Sequence, residues 1–345
     1  MDSESASAPE PSWFEASERV LDPLLTARTL VALLQGAEAV GLFRAVRTTS
    51  TFEGLAKETG LPVQRVREVC AALVANDVLA PNGDGVRLTP AWDVLTGPSA
   101  FSPLASALVA AEASAHDLSD LTRSGGWGNL AAPERLAYAA SVSPNPFSDD
   151  IVALVRSRVA TPPELRDRFR DDDRILELGC GVAGQLLCTL QAFPGVTAVA
   201  VEREADLASE ARRRAEVLGV AERLVVVVGE AESVHLDGEF DVVAWSQFFF
   251  PQASRAGALA TAHAALRSGG LLVAPLLAHD ASDEGGPRSA EARGVALSQV
   301  VHGRWGVPTR SSAELVDEVT TAGFIEAIAA STPGTGISVV AATRP

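Results

Sequence analysis

Arg174-Ile-Leu-Glu177-Leu-Gly179-Cys180-Gly181-Val-Ala-Gly184-Gln185 is the stretch whose reading decides the fold. Its opening reads as a buried strand, the first glycines as a tight turn, and the residues from Gly184 as the start of a helix. Further on, Thr197-Ala-Val-Ala-Val201-Glu202 reads as a second strand that ends on a carboxylate. Gly179 and Gly181 let the backbone turn sharply and approach a ligand closely. Gly184 is expected to let the next helix pack near the sheet. Glu202 follows Gly184 by 18 residues, where an acidic side chain can accept hydrogen bonds from a ribose diol. Strand, turn, helix and carboxylate together read as a cradle for a nucleoside-containing cofactor, which points to an enzyme.

Glu177 separates the readings of this loop. A bare turn before a helix asks nothing of it. A dinucleotide such as NAD or FAD brings an anionic pyrophosphate to the glycines, and Glu177, two residues before the first of them, would face it. A carboxylate there suits a cationic ligand instead. The motif also begins near the middle of the 345-residue chain, and the strand pattern after it ends differently from a dehydrogenase.

With these residues in view, positions 172 to 345 resemble a class I S-adenosylmethionine-dependent methyltransferase. Glu177-Leu-Gly-Cys-Gly-Val-Ala-Gly184 is similar to that family's first motif, and Glu202 to its ribose-binding acid. Gly229-Glu230-Ala231 falls where the family holds the adenine, although an Asp is more usual than Glu230. Glu239-Phe-Asp241-Val-Val resembles the fourth strand, and Leu266-Arg-Ser-Gly269-Gly270-Leu-Leu-Val the turn into the fifth. Ala322-Gly323-Phe324 and Ser338-Val-Val-Ala-Ala-Thr343 resemble the closing pair of strands. Several motifs in order are more specific than a single glycine loop. The resemblance implies S-adenosylmethionine as cofactor. It implies that Gly179, Gly181 and Gly184 shape the loop near its methionine part and that Glu177 accepts from the amino group. Glu202 is then expected to hold the ribose, and Glu230 and Ala231 to border the adenine. Ser246 and Gln247 are expected beside the methyl group and the acceptor.

Composition bounds what else the chain can be. Its length allows two domains. Hydrophobic residues make up 47%, with a mean hydropathy of +0.17, so a large core is available. There is no uninterrupted apolar run of about 18 residues, the length of a spanning helix, and no membrane association is expected. Residues 1–12 are acidic and rich in Ser, Ala and Pro, unlike a signal peptide, and read as a disordered tail. The net charge of −16 disfavours nonspecific nucleic-acid binding, which depends on neutralising phosphates. Lys57 is the one lysine, and the other 27 of the 28 basic residues are arginines. Cys70, Cys180 and Cys188 are an odd, sparse set without CxxC spacing, which suits a reducing cytoplasm and no structural metal.

The first half is organised differently. Apolar residues recur at helical spacing over 27–47. A second helix is expected from about Val63 to Asn76, with Val66, Val69, Cys70, Leu73 and Val74 on one face. Leu79 to Leu88, around Asn82-Gly83-Asp84-Gly85, reads as a short hairpin. Helix, turn, helix and hairpin make a winged-helix module. Gln64, Arg65 and Arg67 on its second helix could touch nucleic acid, which keeps a ligand-sensing regulator open as a reading of another class. The wing offers only Arg87 beside Asp84, and the chain is acidic. The whole chain more closely resembles the small-molecule O-methyltransferases of plants and of bacterial antibiotic pathways. There the N-terminal domain serves homodimerisation and helps close the site, and the acceptor is a small, often aromatic, specialised metabolite.

The expected fold is therefore α/β. A doubly wound Rossmann-like methyltransferase domain covers 165–345, preceded by a mainly α-helical winged-helix domain over 13–100 and a helical connector over 101–164. The resemblance implies that the connector roofs the substrate pocket, which makes His116, Trp127, Tyr138 and Phe147 candidates for its lining.

Ala244-Trp245-Ser246-Gln247-Phe248-Phe249-Phe250-Pro251 carries the question of chemistry. In the resembling O-methyltransferases the corresponding segment lies close to a His that acts as base toward a phenol. Aligning Trp245 with the family's aromatic residue puts Phe248 where that His would stand, and the next His is His263. Three readings stay open. The acceptor is nucleophilic without a strong base, as an electron-rich aromatic carbon, an enol or an amine, and Trp245, Phe248 and Trp305 pack it. Alternatively His302, in Val301-His302-Gly303-Arg304-Trp305, or His279 serves as base for O-methylation. Thirdly, the chain has drifted from methyl transfer. His263 and His235 read as packing or surface residues. Asp280, Asp283 and Glu284 read as a solvated acidic turn, so no metal is expected.

Overall fold

The computed structural model describes residues 12–122, 125–236, 239–276, 290–332 and 337–345. The chain divides into two compact units, Met1–Thr96 and Gly97–Pro345.

The first unit is helical with one hairpin. Helix α1 (Trp13–Ala16) starts on a capping box between Ser12 and Glu15, and a π-helical turn over Ser17–Leu21 joins it to α2 (Asp22–Ala39). The periodicity expected over 27–47 is realised as two helices. Gly41, at φ 73°, breaks the run between α2 and α3 (Leu42–Thr48). Helices α4 (Phe52–Thr59) and α5 (Val63–Ala75) follow, and α5 buries Val66, Cys70 and Leu73 on one face. Strands β1 (Leu79–Asn82) and β2 (Gly85–Leu88) pair antiparallel, and α6 (Pro90–Leu95) closes the unit. Trp13–Ala39 is long and apolar enough to cross a membrane by length and composition alone, and only 11% of its most apolar window is buried. That stretch includes Asp22 and Arg28 and so is not an uninterrupted apolar run.

The second unit begins with helices α7 (Leu104–Leu118), α8 (Ala132–Ser141) and α9 (Asp149–Ser157), followed by a 3₁₀ turn over Pro163–Arg168. Strand and helix then alternate: β3 (Arg174–Leu178), α10 (Gly184–Ala192), β4 (Thr197–Glu202), α11 (Ala205–Val217), β5 (Leu224–Val228), β6 (Phe240–Trp245), α12 (Gln252–Ala265) and β7 (Leu266–Pro275). After α13 (Ala290–Arg304) and α14 (Ser312–Thr321), strands β8 (Ile325–Thr332) and β9 (Ile337–Thr343) complete the sheet. Among the described residues it has seven strands in the order β5-β4-β3-β6-β7-β9-β8. Strands β3 to β7 pair parallel, and β9 runs antiparallel to both its neighbours.

This order explains where a site can form. The chain leaves β3 to one side for β4 and β5, then returns past it to β6 and β7. The strand order therefore reverses beside β3, and ligands of open α/β sheets bind at the carboxyl ends of the strands at that point. Buried apolar clusters cover both sheet faces. One joins Ile175, Val242 and Leu271 to α9 and α10, and the other joins Leu176, Val243 and Trp245 to α12 and α14. Period-two alternation decides which side each strand residue serves.

Candidate active site

The loop after β3 is built by alternating handedness. Gly179 (φ 75°), Gly181 (φ 55°) and Ala183 (φ 57°) all have left-handed backbones, and Ala183 is the N-cap of α10. The Gly179 and Cys180 N–H groups donate to the Val201 carbonyl at 2.9 and 3.1 Å. A Cβ at Gly179 would come within 2.7 Å of the Phe250 ring, so the first glycine is required by both dihedral and contact. Gly184 has another neighbour than expected. A Cβ there would meet the Pro144 carbonyl at 2.4 Å and the Ser143 hydroxyl at 2.7 Å. It makes room for the segment after α8 to cross the start of α10.

Glu202 clamps this loop. Its Oε2 accepts from the Gly181 N–H at 2.8 Å, and its Oε1 from the Glu204 N–H at 3.0 Å. Its own carbonyl accepts from the Gly229 N–H at 3.0 Å, which brings Gly229-Glu230-Ala231 alongside. Glu177 is buried, and its Oε2 has no hydrogen-bond partner. Burial, helped by the nearby Glu202 charge, pushes its carboxyl up to about 8. An orphaned buried carboxylate oxygen of this kind fits a ligand that brings a cationic donor.

A cavity of about 820 Å³ opens at the carboxyl ends of the strands. Glu177, Gly179, Gly181, Gly184, Glu202, Glu230, Ala231 and Ser246 all line it, which is the expected cofactor side. Phe248 and Trp305 line it as well, joined by Trp127, Phe249 and Val307. Trp127 is the hub of this second wall. Its ring lies 5.8 Å from Tyr138, 5.6 Å from Phe249 and 5.4 Å from Trp305.

Other expected site residues sit elsewhere. Trp245 is fully buried in the apolar cluster on the opposite sheet face, under the Arg255 guanidinium at 4.8 Å. It is a core residue and does not line the cavity, because the alternation that turns Ala244 to the cavity turns Trp245 away. Gln247 is likewise absent from the lining. Its Nε2 donates to the Pro275 carbonyl at 3.0 Å and its Oε1 accepts from Arg255 at 3.0 Å, so both polar ends are committed to holding the loop. Phe147 is 47% exposed and lies outside the cavity. Tyr138 is buried behind Trp127, Phe249 and Trp305, and burial pushes its hydroxyl up to about 12.

His302 stands in the same aromatic group, 5.1 Å from Trp305 and 6.0 Å from Phe249 between ring centres. It is buried, and it does not itself line the cavity. Its Nδ1 lies 2.8 Å from the Ser298 carbonyl, so Nδ1 carries the proton and Nε2 keeps its lone pair. That Nε2 is buried without a partner. Burial lowers the imidazole's pKa below its usual value, which holds the ring neutral. His279 and the acidic run Asp280, Asp283 and Glu284 lie outside the described residues. Among the described residues no group of three His, Cys, Asp or Glu is placed to hold a metal ion.

Arg255 belongs to the site and was missed in the sequence. It is fully buried, donates to the Gln247 carbonyl at 2.9 Å and forks onto Glu318. It holds the turn that delivers Ser246, Phe248 and Phe249 to the cavity. A signal existed. Arg255, Ala258, Leu259 and Ala262 fall at helical spacing, which puts an arginine in the apolar stripe of α12.

Comparison with known proteins gives a consistent answer. Residues 175–270 match the family described as Methyltransferase domain. A stretch of 129 residues is 30% identical to the uncharacterized protein YjhP of Escherichia coli (strain K12), covering 37% of this chain and 48% of that protein. The chain thus matches about half the length of this curated relative. An O-methyltransferase family protein from Burkholderia thailandensis superposes with a TM-score of 0.69 at 17% identity, over 97% of this chain and 99% of that one. Human N-acetylserotonin methyltransferase, solved in complex with SAM, gives 0.69 at 13% identity over 97% and 99%. The mitomycin 7-O-methyltransferase MmcR gives 0.67 at 18% identity over 96% and 98%. At these identities the likeness is one of fold.

Proposed function

We propose, from the match of residues 175–270 to the methyltransferase-domain family, that the chain transfers the methyl group of S-adenosylmethionine to a small, planar, largely apolar acceptor. One observation carries the reading. The glycine loop, Glu177 and Glu202 share one continuous cavity with an aromatic wall of Trp127, Phe248, Phe249 and Trp305. The resemblance to enzymes of bacterial natural-product pathways suggests a specialised metabolite as acceptor.

S-adenosylmethionine, when bound, supplies a methyl group already activated on a sulfonium. The protein's residues have three tasks. Glu177 pairs its free Oε2 with the amino group. Glu202, whose oxygens each keep a lone pair beyond the backbone N–H they accept, receives the ribose hydroxyls, and Glu230 and Ala231 border the adenine. The aromatic wall orients the acceptor's plane, so that rate comes largely from alignment, and ring faces favour positive charge nearby. No histidine among the described residues lines the cavity. This favours an acceptor atom that attacks without a strong base: an electron-rich aromatic carbon, an enol or an amine.

A second reading is O-methylation with His302 as base, favoured by its orphaned Nε2 lone pair and neutral ring. It requires the acceptor to reach past Trp305 and Phe249. Converting His302→Phe separates the two. A general base contributes roughly 10²- to 10⁴-fold, and a loss on that scale with unchanged KM assigns the base to His302.

For the first unit we propose a winged-helix module that serves homodimerisation, with Trp13, Phe14, Leu24 and Leu25 exposed on its leading helices to meet a second copy. The regulator reading is disfavoured by the state of α5. Gln64 and Arg65 both engage Glu68, and Arg67 pairs with Glu53 at 2.9 Å while stacking on Phe52. The deciding experiment is calorimetric titration of the full chain with S-adenosylmethionine, S-adenosylhomocysteine and NAD. Micromolar binding of the first two and none of NAD is expected. Absence of binding by either of the first two overturns the reading.

A further inference from the structure

Residues far from the glycine loop also line the cavity, and they follow a pattern. Ile175 and Glu177 come from β3, Val242 and Ala244 from β6, Leu271, Val273 and Pro275 from β7. Alternate residues of a strand share a face. The registers Ile175↔Val242, Val242↔Leu271, Glu177↔Ala244 and Ala244↔Val273 set them side by side. Glu177, Ala244 and Pro275 lie at the carboxyl ends beside the cofactor loop, and Ile175, Val242 and Leu271 lie further down their strands, with Val242 and Leu271 near the middle of the sheet. The cavity therefore has an arm that runs down the sheet. Along β7 its floor extends for about 13 Å at roughly 3.3 Å per residue.

Ile151 and Val155 of α9 and Leu165 of the following 3₁₀ turn form the roof, and Phe169 and Phe193 stand at the far end. Apart from the hydroxyls of Thr161, Thr189 and Ser338, the described lining between Glu177 and the outer end is apolar. Arg158 marks that end. It caps α9 with a left-handed backbone at φ 53°, lays its guanidinium 4.7 Å over the Phe193 ring and pairs with Asp171. A surface depression that includes Arg156, Asp171 and Pro194 shares Arg158 and Phe193 with the cavity. Sheet faces normally pack against their covering helices with few voids larger than a water molecule. Covering such a largely apolar lining with an apolar ligand is favourable.

We propose that this arm is a binding site for an elongated apolar group, an alkyl or acyl chain, carried by an acceptor whose reacting end sits beside the cofactor loop. The identity of the reacting end rests on the methyl-transfer reading; the ligand class of the arm follows from its own lining. A planar ring alone fills the aromatic wall and leaves the arm empty. A chain laid along β7 covers Val273 and Leu271 and ends against Phe169 and Phe193.

The test is calorimetric titration of the full chain with 4-alkylphenols from methyl to heptyl, with and without S-adenosylhomocysteine. Affinity is expected to rise about fourfold per added methylene, the scale of burying one CH₂. In Val155→Trp, whose indole fills the arm, that rise is expected to vanish. Val155→Phe is expected to shorten the tolerated chain, and it keeps the test decisive if the larger variant fails to fold by circular dichroism. A flat chain-length series in the unaltered protein overturns the arm, as does a rise that survives in folded Val155→Trp or that continues to the same chain length in folded Val155→Phe. If S-adenosylhomocysteine binds while the series is flat, the arm alone is wrong. If neither ligand class binds, the methyl-transfer reading falls with it.

Discussion

Glu177 lies near enough to Glu202 for that residue's charge to add to burial in keeping Glu177 protonated near neutral pH. Glu202 has two backbone N–H donors, whereas the Glu177 Oε2 has none. Binding of a cationic amino group is therefore expected to expel the Glu177 proton. Titration with S-adenosylmethionine at pH 7 in two buffers of different ionisation enthalpy should report release of roughly one proton. Glu177→Gln should abolish the buffer dependence and weaken binding.

The same shift sets a stability trend. The folded carboxyl holds its proton up to about 8, against an ordinary value of 4.5. Between those limits the folded state binds the proton that the unfolded state has released, so stability must fall as pH rises through that window. Urea unfolding without cofactor should follow that descent from pH 5 to 8, and Glu177→Gln should flatten it. A slope unchanged in the variant assigns the trend to other groups.

Glu202→Ala removes the clamp on the Gly181 N–H together with the ribose contact proposed for this carboxylate. Loss of a hydrogen bond to a charged group costs about 1.5–3 kcal/mol. Affinity for S-adenosylhomocysteine should fall roughly tenfold or more. Unchanged affinity in calorimetry removes Glu202 from the ribose.

Arg255 tests how the post-strand turn is held. Its Nε and Nη2 reach Glu318 at 2.7 and 2.6 Å, and Arg310 approaches the same carboxylate at 3.3 Å. Removing one partner of a buried pair costs about 3–5 kcal/mol when the other is left alone, and because Arg310 still reaches Glu318 the loss should lie at or below the low end of that range. Arg255→Met should lower the urea midpoint accordingly, and adding Glu318→Leu should recover much of the loss. Acceptor affinity should fall in the single variant, since the turn carries Phe248 and Phe249.

What the sequence made legible was local. The strand, Gly179, Gly181 and Glu202 lie within 29 residues, and the turn follows from backbone handedness and from hydrogen bonds between near neighbours; the neighbours of Gly184, Ser143 and Pro144, were not legible. The doubly wound α/β class followed from the alternation of strand and helix patterns, whereas the insertion of β9 between β7 and β8 did not. The acceptor side was less legible because it depends on long-range packing. Phe147 and Trp127 look alike as aromatic residues in a loop-rich connector, yet only Trp127 meets Phe249 and Trp305. Trp245 and Gln247 lie off the cavity for a simpler reason. Strand alternation already turned Trp245 from Ala244, and a buried arginine one helical turn into α12 needed a partner such as Gln247.

Gly179 and Gly181 both adopt left-handed backbones, but their surroundings differ, and substitution should separate the two effects. A Cβ at Gly181 meets only the Ala139 methyl, at 3.4 Å. Gly181→Ala should cost about 1–2 kcal/mol, the left-handed penalty for a residue with a Cβ. A Cβ at Gly179 meets Phe250 at 2.7 Å as well, so Gly179→Ala must displace a ring that also packs on Trp245 at 5.7 Å. It should lower the melting temperature further than Gly181→Ala and weaken S-adenosylhomocysteine binding more. Adding Phe250→Leu should relieve the contact while leaving the dihedral cost, bringing Gly179→Ala back toward the Gly181→Ala level. Equal effects of the two single substitutions in calorimetry and thermal unfolding would mean that Phe250 yields freely and that backbone handedness alone selects the first glycine.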